Sequence, residues 1–252
     1  MRTIRGFIFY LLLAVTVIPV AAGCILFWPF VSNKKRYDWF GKPWATLMIW
    51  LLKVICGIRY RIIGLENIPT PNMPVVVLSK HQSAWETMFL PAMLPQRMGF
   101  VYKESLHWIP FFGWALKSMG MIGIDRNSGR SAYALFLQKG RKFMAKGWWV
   151  ALFPEGTRVA PGVRGRYKSG GARFAVAVGA KVLPVALNSG HCWPRNSIAK
   201  YPGTVTVSFG PTLDASQMSF NEVNVRVETW IEGELARIEG MAPQTKIECA
   251  QK

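Results

Sequence analysis

The stretch Pro74-Val75-Val76-Val77-Leu78-Ser79-Lys80-His81-Gln82-Ser83-Ala84-Trp85-Glu86-Thr87 passes from strand to helix through a short polar turn. Its valine-rich apolar run reads as a buried strand. Ser83 and Glu86 form an S-x-x-E capping box ahead of Met88-Phe89-Leu90, which marks a helix start. His81 therefore falls just past the carboxyl end of a strand, where open α/β sheets place their chemistry. Residues five apart share neither a helix face nor a strand face. A contact between His81 and Glu86 needs an irregular turn, which the box supplies. If they meet, the carboxylate fixes the imidazole tautomer and stabilises the cation formed on proton uptake. The plainer alternative is a helix-capping Glu86 beside an ordinary loop histidine.

Outward from this turn the pattern is α/β. Strands are expected at 58–63, 98–102, 121–124, 148–153, 182–187 and 204–209. Helices are expected from the turn to about Leu94, over 105–118, from a cap at Asn127 or Ser128 to about Lys146, over 170–178, and from Ser219 to about Ile238. Residues 159–167 read as a flexible basic loop. The tail 241–252 reads as loose.

The N-terminal part differs. Residues 6–31 carry no charge and are long enough for a ~30 Å hydrocarbon core, with Pro19 and Gly23 interrupting. Arg2 and Arg5 precede the run, and Lys34, Lys35, Arg36 and Lys42 follow it. Basic flanks on both sides put both ends in the cytoplasm, which suits a re-entrant hairpin better than a single span. The segment 43–58 is shorter and reads as an interfacial helix with Lys53 snorkelling. The expected organisation is a membrane-anchoring segment over 1–58, an α/β domain over 59–240 and the tail.

Composition agrees. Lys and Arg total 31 against 13 acidic residues, a formal charge of +18, and 51% of the 252 residues are hydrophobic. A basic and apolar chain suits anionic lipid better than nucleic acid, and no nucleic-acid motif occurs. The 11 Trp and 15 Phe suit a headgroup layer. Cys24, Cys56, Cys192 and Cys249 form no C-x-x-C pair, so neither a disulfide framework nor a zinc site is implied. No metal is expected, and His107 and His191 read as structural.

Lys103, Arg126 and Arg158 each follow an apolar strand and face the expected edge of His81. Three cations on one rim with a His–Glu pair suggest an anion site beside a general base; the alternative is a solvated basic face. At this point the chain resembles the 1-acylglycerol-3-phosphate acyltransferases of the bacterial type, within the glycerolipid acyltransferase superfamily. His81-Gln82-Ser83-Ala84-Trp85-Glu86 resembles their H-x-x-x-x-D block, and Gly120-Met121-Ile122-Gly123-Ile124-Asp125-Arg126 their G-x-x-x-I-D-R block. Phe153-Pro154-Glu155-Gly156-Thr157-Arg158 matches F-P-E-G-T-R in full, and Val182-Leu183-Pro184-Val185-Ala186-Leu187 resembles the proline-centred block. Tyr167-Lys168-Ser169-Gly170 resembles the lysine-bearing helix start that follows. Glu86 departs from the usual Asp, and Gly123 from a bulky aromatic.

The resemblance implies a glycerolipid-acyltransferase-like mixed sheet flanked by helices, behind a membrane-embedded N-terminal segment. It implies transfer of a fatty acyl group from acyl-CoA or acyl-carrier protein to lysophosphatidic acid, giving phosphatidic acid, with His81 and Glu86 catalytic. No further cofactor is implied. Lys103, Arg126, Glu155, Gly156, Thr157 and Arg158 would bind the acceptor's phosphate and glycerol. Glu155 would hold a glycerol hydroxyl or pair with an arginine, backbone N–H groups near Gly156 could serve a developing oxyanion, and Lys168 could receive the donor. The expected place is the cytoplasmic face of the inner membrane, among membrane lipids. No G-x-S-x-G occurs, so no serine nucleophile is indicated. The alternatives are another lysolipid acceptor, a thioesterase, or a silent basic membrane-binding protein.

Overall fold

The computed structural model describes residues 1–125 and 129–240. Arg126, the expected caps Asn127 and Ser128, and the tail with Cys249 lie outside the described residues.

Among the described residues one eight-stranded sheet forms the core, ordered β1-β7-β6-β2-β5-β3-β4, with β8 beside β6. The strands are β1 (Ile58–Ile63), β2 (Val75–Ser79), β3 (Met98–Lys103), β4 (Ile122–Ile124), β5 (Trp149–Leu152), β6 (Lys181–Leu187), β7 (Gly203–Phe209) and β8 (Leu213–Asp214). β2 lies at the centre, parallel to both β5 and β6. All five of its residues are buried, as an unbroken apolar run should be when helices cover both faces. β3 is parallel to β5 and to β4, while β6 and β7 are antiparallel. The carboxyl ends of β2, β5, β3 and β4 thus line one edge in that order.

The chain that follows β2 enters α4 (Trp85–Met93). The other helices of the domain are α5 (Phe112–Ser118), α6 (Gly129–Ala145), α7 (Gly170–Val178) and α8 (Phe220–Glu239). Ser219 caps α8, its Oγ accepting from the Glu222 N–H at 3.2 Å. The single helix expected over 105–118 is in fact broken. A tight turn covers Glu104–Trp108, and α5 starts only at Phe112. Pro110 disfavours helix at the preceding residue, and Phe111 adopts a φ of 61°.

The two apolar N-terminal segments are α1 (Arg2–Leu26) and α3 (Lys42–Cys56), joined through α2 (Asn33–Arg36) and one wide turn at Tyr37–Gly41. They lie antiparallel. Cys56 Sγ reaches the Arg5 carbonyl at 3.7 Å, and Trp44 Nε1 donates to Thr16 Oγ1 at 3.1 Å. The hairpin leaves Phe7, Leu11, Val15, Trp50 and Val54 exposed along it. α1 is the one helix among the described residues long and apolar enough to cross a membrane. Arg36, named above only as part of a basic flank, is buried. Its Nη1 donates to the Trp28 carbonyl at 3.0 Å and its Nη2 to the Ser118 carbonyl at 2.6 Å, pinning the hairpin to α5.

Candidate active site

The Lys80 N–H donates to the Val185 carbonyl at 2.9 Å, extending the β2–β6 ladder one residue beyond β2. The chain then turns, and the turn brings His81 and Glu86 together, with Nδ1 2.9 Å from Oε1. The irregular turn that their spacing demanded is present. Glu86 is fully buried. Its Oε1 also accepts from the N–H groups of Gln82 and Ser83, at 2.7 and 2.8 Å. The Oγ atoms of Ser83 and Ser189 lie 2.7 and 2.8 Å from Oε2. Ser83 Oγ accepts from the Trp85 N–H at 2.9 Å, so the box caps the helix one residue earlier than a standard one.

Burial alone would push the Glu86 carboxyl up. The hydrogen bond and charge of His81 and the two Ser83 donors outweigh that and hold it below the usual carboxylate range. An ionised Glu86 accepts a hydrogen bond from Nδ1–H, and in the neutral imidazole that tautomer leaves Nε2 as the unprotonated nitrogen. The imidazole stacks on Phe153, with centroids 3.9 Å apart and planes 16° from parallel.

The F-P-E-G-T-R block holds the histidine's backbone. The His81 N–H donates to Glu155 Oε2 at 2.9 Å, and the His81 carbonyl accepts from the Val159 N–H at 2.8 Å. Glu155, expected to bond a glycerol hydroxyl or an arginine, lies inward instead and pairs with Lys80 Nζ at 2.7 Å. The same ammonium lies 2.8 Å from Glu232 Oε1 on α8, and the Tyr167 hydroxyl donates to that oxygen at 2.7 Å. Burial pushes the Glu155 carboxyl up against the opposing pull of Lys80. Arg164 pairs with Glu228 at 2.6 Å. The basic loop, expected to be flexible, is therefore tied to α8 at both Arg164 and Tyr167.

The other expected residues that the structure describes occupy the rim. Lys103 ends β3 and is exposed, two strands from β2 and so about 10 Å across the sheet. Thr157 is exposed. Arg158 is half-buried, and its Nη2 donates to Asn196 Oδ1 at 3.4 Å. Gly156 has a φ of +69°, and a Cβ there would lie 3.1 Å from Lys168 Nζ, so Lys168 lies across the turn. The Gly156 N–H, a candidate oxyanion donor, is used within its own turn by the Phe153 carbonyl at 2.9 Å.

Four contributors escaped the sequence analysis: Lys80, Phe153 as a stacking surface, Ser189 and Glu232. Ser189 was the most discoverable, because it follows β6 at the same sheet edge as His81 follows β2. Glu232 gave no local signal. Its partners lie far away in the chain. His107 bonds the Tyr102 hydroxyl through Nε2, and His191 lies 2.9 Å from Glu239. Among the described residues no group of three His, Cys, Asp or Glu could hold a metal ion.

The chain is similar to known acyltransferases. A family model described as Acyltransferase matches residues 59–188. The chain is 40% identical over 240 residues to the 1-acyl-sn-glycerol-3-phosphate acyltransferase of Pseudomonas aeruginosa, covering 94% of this chain and 92% of that protein. It is 31% identical over 179 residues to the human 1-acyl-sn-glycerol-3-phosphate acyltransferase alpha, covering 71% of this chain and 59% of the human one. The crystal structure of PlsC, the 1-acyl-sn-glycerophosphate acyltransferase of Thermotoga maritima, shares the fold. Its TM-score is 0.76 at 22% identity, over 98% of this chain and 100% of that one. With the histidine, its acid and the intact F-P-E-G-T-R block at one sheet edge, and a similarity that runs nearly end to end, this chain belongs to the 1-acyl-sn-glycerol-3-phosphate acyltransferase family.

Proposed function

We propose that the protein transfers a fatty acyl group from an acyl thioester to the sn-2 hydroxyl of a 1-acylglycerol 3-phosphate, giving phosphatidic acid, with His81 as general base. The His81 Nδ1–Glu86 contact of 2.9 Å carries this reading. Nε2 takes the hydroxyl proton as the oxygen attacks the thioester carbonyl. The tetrahedral intermediate then collapses, the C–S bond breaks, and the imidazolium returns its proton to the leaving thiolate. No acyl group rests on the enzyme. Glu86 stabilises the imidazolium meanwhile.

Lys103, Arg126 and Arg158 supply charge for the acceptor's phosphate, Arg126 on the strength of its motif. Arg158 can bind in the bidentate manner that guanidinium allows. Glu155 acts from below by holding the His81 backbone, and Gly156 and Thr157 shape the turn above it. Lys168, beside the Gly156 turn, would receive an anionic donor, acyl-CoA or acyl-carrier protein. The exposed apolar side of the α1–α3 hairpin, flanked by Arg2, Arg5, Lys34 and Lys35, seats the domain on the cytoplasmic leaflet of the inner membrane.

The test is a screen on protein reconstituted in vesicles, with labelled acyl-CoA and acyl-carrier protein offered lysophosphatidate and other lysolipids. Phosphatidate is the expected product, with kcat lowered about 10²–10⁴-fold in His81→Ala. Undiminished transfer by that variant, or an acyl-enzyme trapped on quenching, would sink the general-base mechanism. A clear preference for another lysolipid would replace the acceptor, and hydrolysis without acceptor would indicate a thioesterase.

A further inference from the structure

The segment 188–201, between β6 and β7, touches three separate parts of the protein. At its start, Ser189 Oγ lies 2.8 Å from Glu86, and the Gly190 N–H donates to Gln82 Oε1 at 3.0 Å. Its middle is closed into a loop by the Tyr201 N–H, which donates to the Cys192 carbonyl at 2.8 Å. There Asn196 accepts from Arg158, and Arg195 Nη1 donates to the Arg158 carbonyl at 3.0 Å. Its end grips α1. The Lys200 ammonium lies 4.3 Å from the ring centroids of both Tyr10 and Trp193. It also donates to the carbonyls of Ile198 and Ser197, at 2.9 and 3.2 Å. Trp193 meets Phe9 edge-on at 5.5 Å, and a Cβ at Gly6 would collide with the Ile198 carbonyl.

We propose that segment 188–201 is a strap through which the seating of α1 sets Arg158, with Asn196 and Lys200 as positioning residues for acceptor binding. This deepens the proposed function and rests on the acceptor-binding role given there to Arg158. An arginine side chain loses about 2 kcal/mol of rotamer entropy when fixed, so an unsupported Arg158 would bind phosphate less well. Asn196 orients the guanidinium with a neutral oxygen and leaves its charge for a ligand. Asparagine also tolerates the left-handed φ of 58° found there. Lys200 is fully buried, and its aromatic and carbonyl partners close the loop onto α1. Burial lowers its ammonium to about 8.

Three variants test the strap. Asn196→Gly keeps the backbone and removes the oxygen; the acceptor KM should rise about fivefold, with kcat changed less than about twofold. Asn196→Asp keeps the hydrogen bond but cancels the charge, so KM should rise there too; a merely structural role would be rescued by Asp. Lys200→Met should raise KM alone, yet add nothing in the Asn196→Gly background. An unchanged KM in Asn196→Gly, a wild-type KM in Asn196→Asp, or additive effects in the double variant would overturn the strap. Hydrogen exchange provides a measurement independent of turnover. In Lys200→Met the amides of 157–160 should exchange faster along with those of 193–200, and unchanged protection at 157–160 also overturns it. If wild-type protein fails to acylate lysophosphatidate, the proposed function falls and the exchange result alone decides the strap.

Discussion

Ser189 Oγ lies 2.8 Å from Glu86 Oε2 although 103 positions separate the two in the chain. The contact exists because β6 runs parallel beside β2, so residues just past their carboxyl ends meet. The acid that contacts His81 is thus held by two turns from different strands.

Ser189→Ala should cost about 1–3 kcal/mol, since a buried carboxylate loses a donor. The pH sign follows from Glu86 being held below its ordinary value of 4.5. Its stabilising contribution is fully present above 4.5 and is lost as pH falls through the lower folded value. In the variant the folded value moves up, so acid unfolding followed by circular dichroism should begin at a higher pH. An unchanged acid midpoint would show that Ser189 does not support the charge.

Glu86→Gln should fold normally. The amide oxygen can accept from His81, Gln82 and Ser83, and its NH2 can donate to the Ser83 and Ser189 hydroxyls. Only the charge opposite the imidazolium is lost. kcat should fall by about 10²–10⁴ with acceptor KM nearly constant. Steady-state kinetics beside a melting curve separates this from misfolding.

Lys80→Met leaves Glu155 and Glu232 facing each other without their shared cation. The expected cost is about 3–5 kcal/mol. Burial raises the folded Glu155 carboxyl above 4.5, so its charged form weakens the fold as pH climbs from 4.5 through that raised value. The loss should therefore be smaller at pH 5 than at pH 8 in denaturant titrations, and Lys80→Met with Glu155→Gln should recover part of it. An equal loss at both pH values would contradict this.

A Cβ at Gly123 would lie 2.9 Å from His107 Cε1. The imidazole occupies the space that a bulky aromatic would take, so Gly123→Phe must expel it from Tyr102. About 1–3 kcal/mol should be lost, and the double variant with His107→Ala should regain most of it. Melting temperatures check this directly.

Phe7, Leu11 and Trp50 are 64%, 54% and 55% exposed. Serine at each should leave stability in detergent unchanged and weaken sedimentation with anionic vesicles. Burying such a side chain contributes about 1.5–3 kcal/mol, so affinity should fall about 10- to 150-fold per site. Wild-type vesicle binding by all three variants would remove the hairpin from the membrane contact.

What proved legible was local. The strand, turn and capped helix around His81 announce themselves within a few residues, and the five-residue spacing of His81 and Glu86 already required the irregular turn found. The edge at which Lys103 and Arg158 sit followed from each coming after an apolar strand. What escaped depends on distant partners. Lys80 and Glu232 reveal nothing until α8 packs over the sheet. The burial of Arg36 was not readable, because a sequence does not show the carbonyls of Trp28 and Ser118 converging on it. The break at Pro110 was readable from the proline itself.

The stacking of His81 on Phe153 has one more effect. A ring pressed flat against a phenyl group and tethered at Nδ1 cannot swing freely. In the proposed mechanism the alcohol must be delivered to it, at a height set by Lys103 and Arg158. Choice among hydroxyls on a glycerol backbone then becomes a matter of reach, measured from the phosphate to one stationary nitrogen.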